Sequence, residues 1–405
     1  MNITRQKKAI VVKFQAGADN RSCEYEMPAG TAREIINIDV TNGGGLRRRN
    51  GINRRDAMAC HSLFTPSHGR FMLLWRGGYL TRMDADQSFS ALAALQDASI
   101  AYAEMGGDVY WSVAERTGRV TAAGLASPWG LPVPPSIVAT ASPAGGLVAG
   151  IYQVTQTAVL NGLESGAPEP TEIEVEEGGG ITITAPTASG VVFAVYVSAP
   201  NGGIHEMNAA FVSNPGETAV IGSGARGRPL RSLFAGPPPA GSTLLAYRGR
   251  VWIARGNTLW FTDAQSPHWV YLDSGYFQFP GIVRMLAAVE DGIFVGSDDG
   301  AYFLAGADPS TMVLRKIDGT RGSGMAMPLQ IDAFSNEAGQ QSMWVDDSGC
   351  LAIGRAGGMV IFPGKSRFVA GSAGRYICYR ETGGLRQILA ALDDAGDSGL
   401  VADET

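Results

Sequence analysis

The sequence predicts an all-β protein assembled from small antiparallel sheets, and three features of its 405 residues lead to this prediction. Short runs of β-branched and aromatic residues recur along the chain, each closed by a tight turn, which is the strongest short-range signal for a β-hairpin. Glycine is abundant, with 54 residues and no collagen-like period, as expected for a chain with many tight turns. Hydrophobic residues make up 45% of the chain, which is enough to build a packed core.

The hairpin pattern is clearest in residues 280–306, PGIVRMLAAVEDGIFVGSDDGAYFLAG. Turns are predicted at residues 290–292 and 298–300, where acidic residues precede glycine, with a strand on each side of both. The same order of strand, turn and strand recurs in residues 106–124, 248–263 and 342–362. A chain with this repetition is expected to form a series of small antiparallel sheets.

The first 60 residues lack the recurring hairpin pattern. Residues 1–60 are predicted to form an extended arm with one strand at residues 9–14. Hairpins follow in residues 61–133, where aromatic and aliphatic residues alternate around Gly-Gly or Gly-Asp turns. An interruption at residues 88–98, SFSALAALQDA, is predicted to be one helical turn or a loop crossing.

The composition changes in residues 136–223, which are rich in threonine, valine and alanine and nearly free of lysine and arginine. Short strands at intervals of about ten residues predict an inserted β-sandwich of fibronectin-III or immunoglobulin type. The proline-rich residues 129–143 and 226–242 are predicted to be extended linkers. Hairpins return in residues 243–392, and the acidic residues 393–405 are expected to be a mobile tail.

Residues 61–133 and 243–392 are therefore predicted to form one discontinuous domain, interrupted by the insert at residues 134–242. The two stretches contain enough hairpins for four to six small sheets. A β-propeller accommodates that number, because radial repetition leaves only short, protected edges. A large irregular sandwich is the alternative, and the degenerate repeats leave the number of blades open.

Charge and segment composition exclude several functional classes. The net charge is −6 and only 17% of residues are charged, whereas a protein that grips a nucleic-acid duplex is normally basic. No segment has the composition of a signal peptide, and no apolar run approaches the ~18 residues of a membrane span. The four cysteines form no C-x-x-C pair. We expect a soluble protein that is made in a reducing cytoplasm.

Two short motif matches are expected to be accidental. Residues 222–227 satisfy the G-x-G-x-x-G pattern, but a dinucleotide site needs a helix to begin there, and Pro229 prevents it. Residues 84–88 begin like a calcium-binding loop, yet Phe89 and Leu95 occupy the positions of the required glycine and glutamate. No cofactor and no metal site is predicted.

The sequence also offers no predicted catalytic residues. Residues 297–303 loosely resemble the Asp-box turn of sialidase-like propellers, in which the turn is structural, and glycoside hydrolysis needs two carboxylates that face the sugar. The chain has no nucleophile elbow, no Walker loop and no H-x-x-x-H pair. Its four histidines are His61, His68, His205 and His268. We therefore predict a protein that is not an enzyme.

Phrases near the start of the chain resemble a known family. Residues 27–33, 36–40 and 45–51, the last reading GLRRRNG, resemble the opening of the nozzle or stabilisation proteins that close the tail tube of short-tailed bacteriophages. Residues 280–306 also resemble a hairpin passage of those proteins. Phrases of the predicted insert that resemble fibronectin-III-like modules of virion proteins lie at residues 152–155, 162–165 and 194–197.

The resemblance implies a structural component of a bacteriophage tail, made in the host cytoplasm and located in the virion. It would form part of the channel for DNA exit and a platform for neighbouring tail proteins such as the adaptor and fibres. It implies a ring of identical subunits, expected to be a hexamer, with head-to-tail contacts. DNA would pass transiently and without specific binding. The subunit-interface residues expected in the arm are Arg33, Asn37, Asp39, Arg47, Arg48 and Arg49.

Two other functions remain open at the level of the sequence. One is a carbohydrate-binding virion protein that contacts the host cell surface. The other is a glycoside hydrolase, which would need a catalytic carboxylate such as Asp298 or Asp346.

Overall fold

The structure is a computed structural model. The residues it describes are 17–34, 38–41, 45–48, 57–188, 190–203, 207–264, 266–318, 322, 326–329, 339–366, 374–382 and 385–392. The chain divides into two compact units, one of residues 1–57 with 283–405 and one of residues 58–282. Within the described residues, no helix has the length and apolar character needed to span a bilayer.

Two short strand pairs occupy the described part of the arm. Strands β1 (Gly17–Ala18) and β2 (Thr31–Ala32) pair in parallel, and β3 (Ile38–Val40) and β4 (Leu46–Arg48) form an antiparallel hairpin. Within the same unit, Arg21 Nη1 donates a hydrogen bond to the carbonyl oxygen of Lys365 at 2.8 Å. The strand predicted at residues 9–14 lies outside the described residues.

The unit of residues 58–282 begins with two four-stranded antiparallel sheets in which strand order follows the chain. The first contains β5 (Cys60–Phe64), β6 (Phe71–Arg76), β7 (Tyr79–Asp84) and β8 (Phe89–Ala94). The second contains β9 (Ala101–Met105), β10 (Asp108–Val113), β11 (Arg116–Val120) and β12 (Ala126–Ser127).

The prediction of a helical turn or a loop crossing at residues 88–98 is wrong, because Phe89–Ala94 form the edge strand β8. The alanine- and leucine-rich run has helical propensity, but pairing along β7 provides its backbone hydrogen bonds and overrides that propensity. The guanidinium carbon of Arg76 lies 4.2 Å from the centroid of the Phe89 ring, which helps to hold the start of the strand.

Two further sheets follow in residues 138–221. Their strands are β13 (Val138–Ser142), β14 (Gly150–Leu160), β15 (Leu163–Glu164), β16 (Thr171–Val175), β17 (Gly180–Thr184), β18 (Val192–Val197), β19 (Asn208–Ser213) and β20 (Thr218–Ile221). One sheet has the order β13-β17-β20, and the other has the order β15-β14-β18-β19 with β16 also paired to β14.

The two sheets share one hydrophobic cluster. Ile181 and Ile183 come from the three-stranded sheet, and Tyr152 and Val195 come from the five-stranded sheet. Two sheets that bury their facing side chains together are the arrangement found in β-sandwiches. The assignment of these strands to a separate fibronectin-III-like insert stays a prediction, as do the predicted domain boundaries.

The remaining strands of this unit form one two-stranded and one four-stranded sheet. Strand β21 (Ala235–Gly236) pairs with β25 (Val270–Tyr271). Strands β22 (Thr243–Tyr247), β23 (Arg250–Arg255), β24 (Thr258–Phe261) and β26 (Tyr276–Gln278) form the other sheet in that order.

In the unit of residues 1–57 and 283–405, the later strands form two four-stranded sheets and a hairpin. The first sheet has β27 (Val283–Val289), β28 (Gly292–Ser297), β29 (Gly300–Ala305) and β30 (Val313–Ile317), and β30 is an exposed edge. The second has β31 (Met327–Leu329), β32 (Gln341–Val345), β33 (Leu351–Arg355) and β34 (Met359–Ile361), with a 3₁₀ helix at Ala356–Gly358. The hairpin has β35 (Gly374–Thr382) and β36 (Leu385–Leu392).

The described residues thus contain five four-stranded antiparallel sheets, and such sheets are the blades from which β-propellers are built. The number agrees with the four to six small sheets that the sequence predicts. The prediction of an all-β, β-propeller-like protein is confirmed.

The predicted hairpin turns have the backbone that their residues favour. Asn161 and Gly162 form the two-residue loop between β14 and β15, with φ of 48° and 81°. Gly77 and Gly78 close β6 and β7 in the same way, with φ of 56° and 92°. Two consecutive positive φ values match the right-handed twist of the paired strands, which explains the choice of Asn-Gly and Gly-Gly.

Tryptophans pack directly onto glycines within the four-stranded sheets. A Cβ atom on Gly118 would lie only 2.3 Å from Cζ2 of Trp111, the residue opposite it on β10. A Cβ atom on Gly354 would lie 2.6 Å from Cε2 of Phe294 and 2.8 Å from Cζ3 of Trp344. These glycines are therefore needed for packing as well as for turns.

Five of the seven tryptophans lie in strands, and four of these five are buried. The buried ones are Trp75, Trp111, Trp252 and Trp344, and Trp260 is half-buried in β24.

We predict that Gly118→Ala lowers the free energy of unfolding by about 2 kcal/mol, because the added methyl group would overlap the buried Trp111 ring and overpack the sheet. Urea unfolding followed by tryptophan fluorescence measures the change. Gly224→Ala is the matched control, because nothing lies within 4 Å of the position of its Cβ atom. Equal stabilities of the two variants would contradict this account of the packing.

Candidate functional site

The arm hairpin formed by β3 and β4, which we call the arginine hairpin, carries three of the six predicted interface residues. Asp39 and Arg47 lie opposite each other in the strand pair, and Arg48 lies opposite Ile38. Directly opposite residues share a face of a hairpin, and neighbours along a strand alternate, so Arg47 and Arg48 stand on opposite faces. Asp39 is buried, whereas both arginines are exposed.

The loop end of this hairpin is closed by Thr41, whose amide donates a hydrogen bond to the carbonyl oxygen of Gly45 at 2.8 Å. Arg33, the fourth predicted interface residue within the described part, is exposed just after β2. Asn37 and Arg49 lie outside the described residues. The described surface can therefore offer guanidinium groups in several directions, and guanidinium is well suited to bind carboxylates in pairs of hydrogen bonds.

The acidic turn between β28 and β29 is built from hydrogen bonds within the turn. Asp299 accepts hydrogen bonds from Ser297 Oγ at 2.7 Å and from Tyr302 Oη at 2.5 Å, and Lys316 Nζ lies 3.5 Å away. The hydrogen bonds from Tyr302 and then Ser297 lower the pKa of the Asp299 carboxyl. Burial, followed by the bond to Asp299, raises the pKa of Tyr302 to about 12.

The two carboxylates considered for glycoside hydrolysis both stabilise local structure. Asp298 accepts hydrogen bonds from Arg284 Nε at 2.9 Å and Nη2 at 3.3 Å. Asp346 is buried and accepts from the amides of Ser348 at 3.0 Å and Cys350 at 2.8 Å. Asp346 thus stabilises its own turn, whereas Asp298 pairs with Arg284 of strand β27.

The buried carboxylate of Glu164, in the unit of residues 58–282, was not predicted from the sequence. Glu164 Oε1 accepts hydrogen bonds from Thr157 Oγ1 at 2.6 Å and Tyr196 Oη at 2.8 Å, and Arg228 Nη2 lies 2.7 Å from Oε2. The Glu164 carbonyl oxygen accepts from Trp269 Nε1 at 2.6 Å. Burial, followed by the charge of Glu164, raises the pKa of the Tyr196 phenol. The cluster ties the strands of residues 138–221 to residues 228 and 269.

A second polar cluster involves His61, which stacks on Trp75 with ring centroids 4.6 Å apart. Its Nδ1 lies 2.8 Å from Ser62 Oγ, and its Nε2 lies 3.0 Å from Asp97 Oδ1. The combination contains the residue types of a nucleophilic triad, but a triad aspartate is buried to orient the histidine. The side chain of Asp97 is 75% exposed, and Ser62 Oγ already accepts the amide hydrogen of Ile100. These hydrogen bonds connect the bulged strand β5 to Asp97 and Ile100.

Residues 222–227 match the G-x-G-x-x-G pattern, and as predicted no helix begins in this segment. The amide of Gly227 instead donates a hydrogen bond to the carbonyl oxygen of Ala209 at 3.0 Å. In the part of the chain that the structure describes, no group of three or more His, Cys, Asp and Glu side chains is placed to hold a metal ion. His205 lies outside that part.

Comparisons with known proteins add little. No family model matches the chain, and no curated protein matches it. Among solved structures, BBS1N in its complex with ARL6DN is similar with 11% identity and a TM-score of 0.32, over 83% of this chain and 89% of that one. The AfRom2 CNH domain is similar with 10% identity and a TM-score of 0.29, over 84% and 92%. Both TM-scores are low, so these likenesses assign no function.

We predict that Glu164→Ala lowers the free energy of unfolding by about 3 kcal/mol, because it leaves the buried hydroxyl groups of Thr157 and Tyr196 without their acceptor. Urea unfolding of the whole chain measures the loss. Glu174→Ala removes an exposed carboxylate from the same sheet and is expected to change stability little. A loss for Glu164→Ala that is no larger than for the control would show that the cluster is not stabilising.

We predict that the contribution of Asp299 to stability depends on pH. Because folding lowers the pKa of this carboxyl, its contribution is present above the unfolded value of ~3.9 and is lost as pH falls through the folded value. Asp299→Asn should be less stable than the native chain at neutral pH, with a difference that shrinks near pH 3. Unfolding at several pH values tests this, with the exposed Asp347→Asn as a control. A difference that does not change with pH would count against the ionised turn.

Proposed function

We propose that this protein is a non-enzymatic structural component of a bacteriophage tail, a nozzle or tail-tip ring that forms part of the DNA exit channel. The observation that carries the proposal is the arginine-rich segment of residues 45–51, GLRRRNG, which resembles the opening of tail nozzle proteins. The exposure of Arg47 and Arg48 on a hairpin supports a role for this phrase in contacts with other chains. Neighbouring copies and other tail proteins, such as the adaptor and fibres, are the proposed partners.

The build of the protein suits a rigid ring component. Its four-stranded sheets are short and antiparallel, and tryptophan rings pack against glycine within them, which leaves little room for rearrangement. Rings of identical chains need head-to-tail contacts, in which a surface of one copy meets a different surface of the next. An exposed hairpin outside the four-stranded sheets is a suitable element for such a contact.

The charge of the chain suits passage of DNA without capture. Binding to the phosphate backbone requires cationic side chains that displace counterions, and affinity grows with their number. With a net charge of −6, the chain as a whole repels a duplex. A channel wall of this character would let DNA slide through the ring.

Immunogold electron microscopy of virions from the source culture, with an antibody raised against residues 134–240, tests the proposed location. Label at the distal end of tails is the expected result. Label that is absent from particles, together with soluble protein in the supernatant, would refute the virion role. The carbohydrate-binding hypothesis would then be tested next, on a glycan array.

We predict that Arg48→Glu leaves the protein folded but prevents ring formation, because a reversed charge replaces attraction at the contact by repulsion. Circular dichroism checks the fold, and sedimentation velocity measures the assembly. Arg226→Glu, which reverses an exposed arginine outside the arm and outside the strands, is the matched control and should assemble normally. Normal assembly of Arg48→Glu would remove the arginine hairpin from the contact.

A further inference from the structure

Two segments of this chain carry net charges of opposite sign. Residues 1–60 contain 11 lysine and arginine residues and six aspartate and glutamate residues. Residues 393–405 contain five acidic residues and no basic ones. The excess positive charge of the first segment therefore equals the negative charge of the second. Apart from Cys60 at the start of β5, the described residues of the first segment lie outside the four-stranded sheets.

The described part of the arm presents its positive charge on an ordered surface. Arg47 and Arg48 are exposed on opposite faces of the arginine hairpin, and Arg33 is exposed near the end of β2. The acidic residues nearest in sequence to Arg33 and Arg47 are Glu34 and Asp39. Glu34 is exposed, and Asp39 is buried opposite Arg47. The exposed charge of the hairpin itself is therefore positive, and it fits an anionic ligand that can reach both faces.

An acidic peptide fits this surface better than a flat protein face or a duplex does. A flexible segment can pass around a narrow hairpin and bring carboxylates to guanidinium groups on both of its faces. A duplex would instead bring its many phosphates close to a chain whose net charge is −6. Charge complementarity thus favours a carboxylate-rich segment as the occupant.

We propose that the arginine hairpin binds residues 393–405 of a neighbouring copy of this chain. The inference rests on the proposed ring and names the partner segment of its subunit contact. Two copies that each carry a charge of −6 repel each other at long range, so a contact between them gains from pairing a basic surface of one with an acidic segment of the other. Such a contact is head-to-tail, because the surfaces that meet are different.

Charge-reversal complementation with full-length chains tests the proposal. One variant carries Arg47→Glu with Arg48→Glu, and the other carries Asp393→Lys, Asp394→Lys and Asp397→Lys. Each variant alone should show a dissociation constant of the subunit contact raised by about tenfold or more, because the reversed charges face like charges. An equimolar mixture of the two should assemble again, because every contact in an alternating ring then joins opposite charges.

Sedimentation velocity measures each sample at about 0.01 M and about 1 M salt, where the Debye length is about 30 Å and about 3 Å. The native assembly should weaken as salt increases. Arg70→Glu with Arg226→Glu reverses two exposed arginines outside the arm and is the control for net charge. Circular dichroism of every variant checks that it is folded.

The outcomes separate the possible contacts. Recovery in the mixture supports binding between copies. If the mixture stays dissociated while one chain with all five substitutions assembles, the acidic segment binds the arm of its own chain and the proposal is wrong. Native-like assembly of either variant alone, or a native protein that stays monomeric, also overturns it. The location seen by immunogold labelling is independent of these results, so a tail protein with a different subunit contact would be recognised as such.

Discussion

The buried carboxylate of Glu164 imposes the strictest requirement in the unit of residues 58–282. An ionised group taken out of water is costly unless hydrogen-bond donors surround it, and here Thr157, Tyr196 and Arg228 do so. Each donor comes from a different part of the chain, so the charge is tolerated only where all of them meet. Close by, a Cβ atom on Gly166 would lie 1.6 Å from the carbonyl oxygen of Ala235, so the backbones touch directly. The strands of residues 138–221 are thereby fixed to the segments that surround them.

Local features of this fold could be predicted from the sequence because their causes are local. Asn161-Gly162 forms its turn wherever two strands of suitable pattern flank it, since the φ values are a property of the two residues. Likewise, Pro229 stops a helix without help from distant residues. Residues 88–98 show the limit of such reasoning. Their helical propensity is also local, but the partner strand β7 decides the conformation.

The polar clusters could not be predicted, because their members are far apart in sequence. Trp269 and Glu164 are 105 residues apart, and His61 and Asp97 are 36 residues apart, so no spacing rule connects them. In the arginine hairpin the sequence indicated which side chains carry charge. That Asp39 stands opposite Arg47, and that the two arginines stand on opposite faces, follows only from the strand register.

The exposed edge strand β30 shapes how copies of this protein can meet. A free strand edge offers unpaired backbone groups that can join the edge of another molecule and start aggregation. Val313 and Leu314 on this edge are exposed and apolar, which increases that hazard. Arg315 and Lys316 follow them on alternate faces, so two such edges brought together would place cations against cations. At this edge the positive charge therefore disfavours edge-to-edge pairing of two copies.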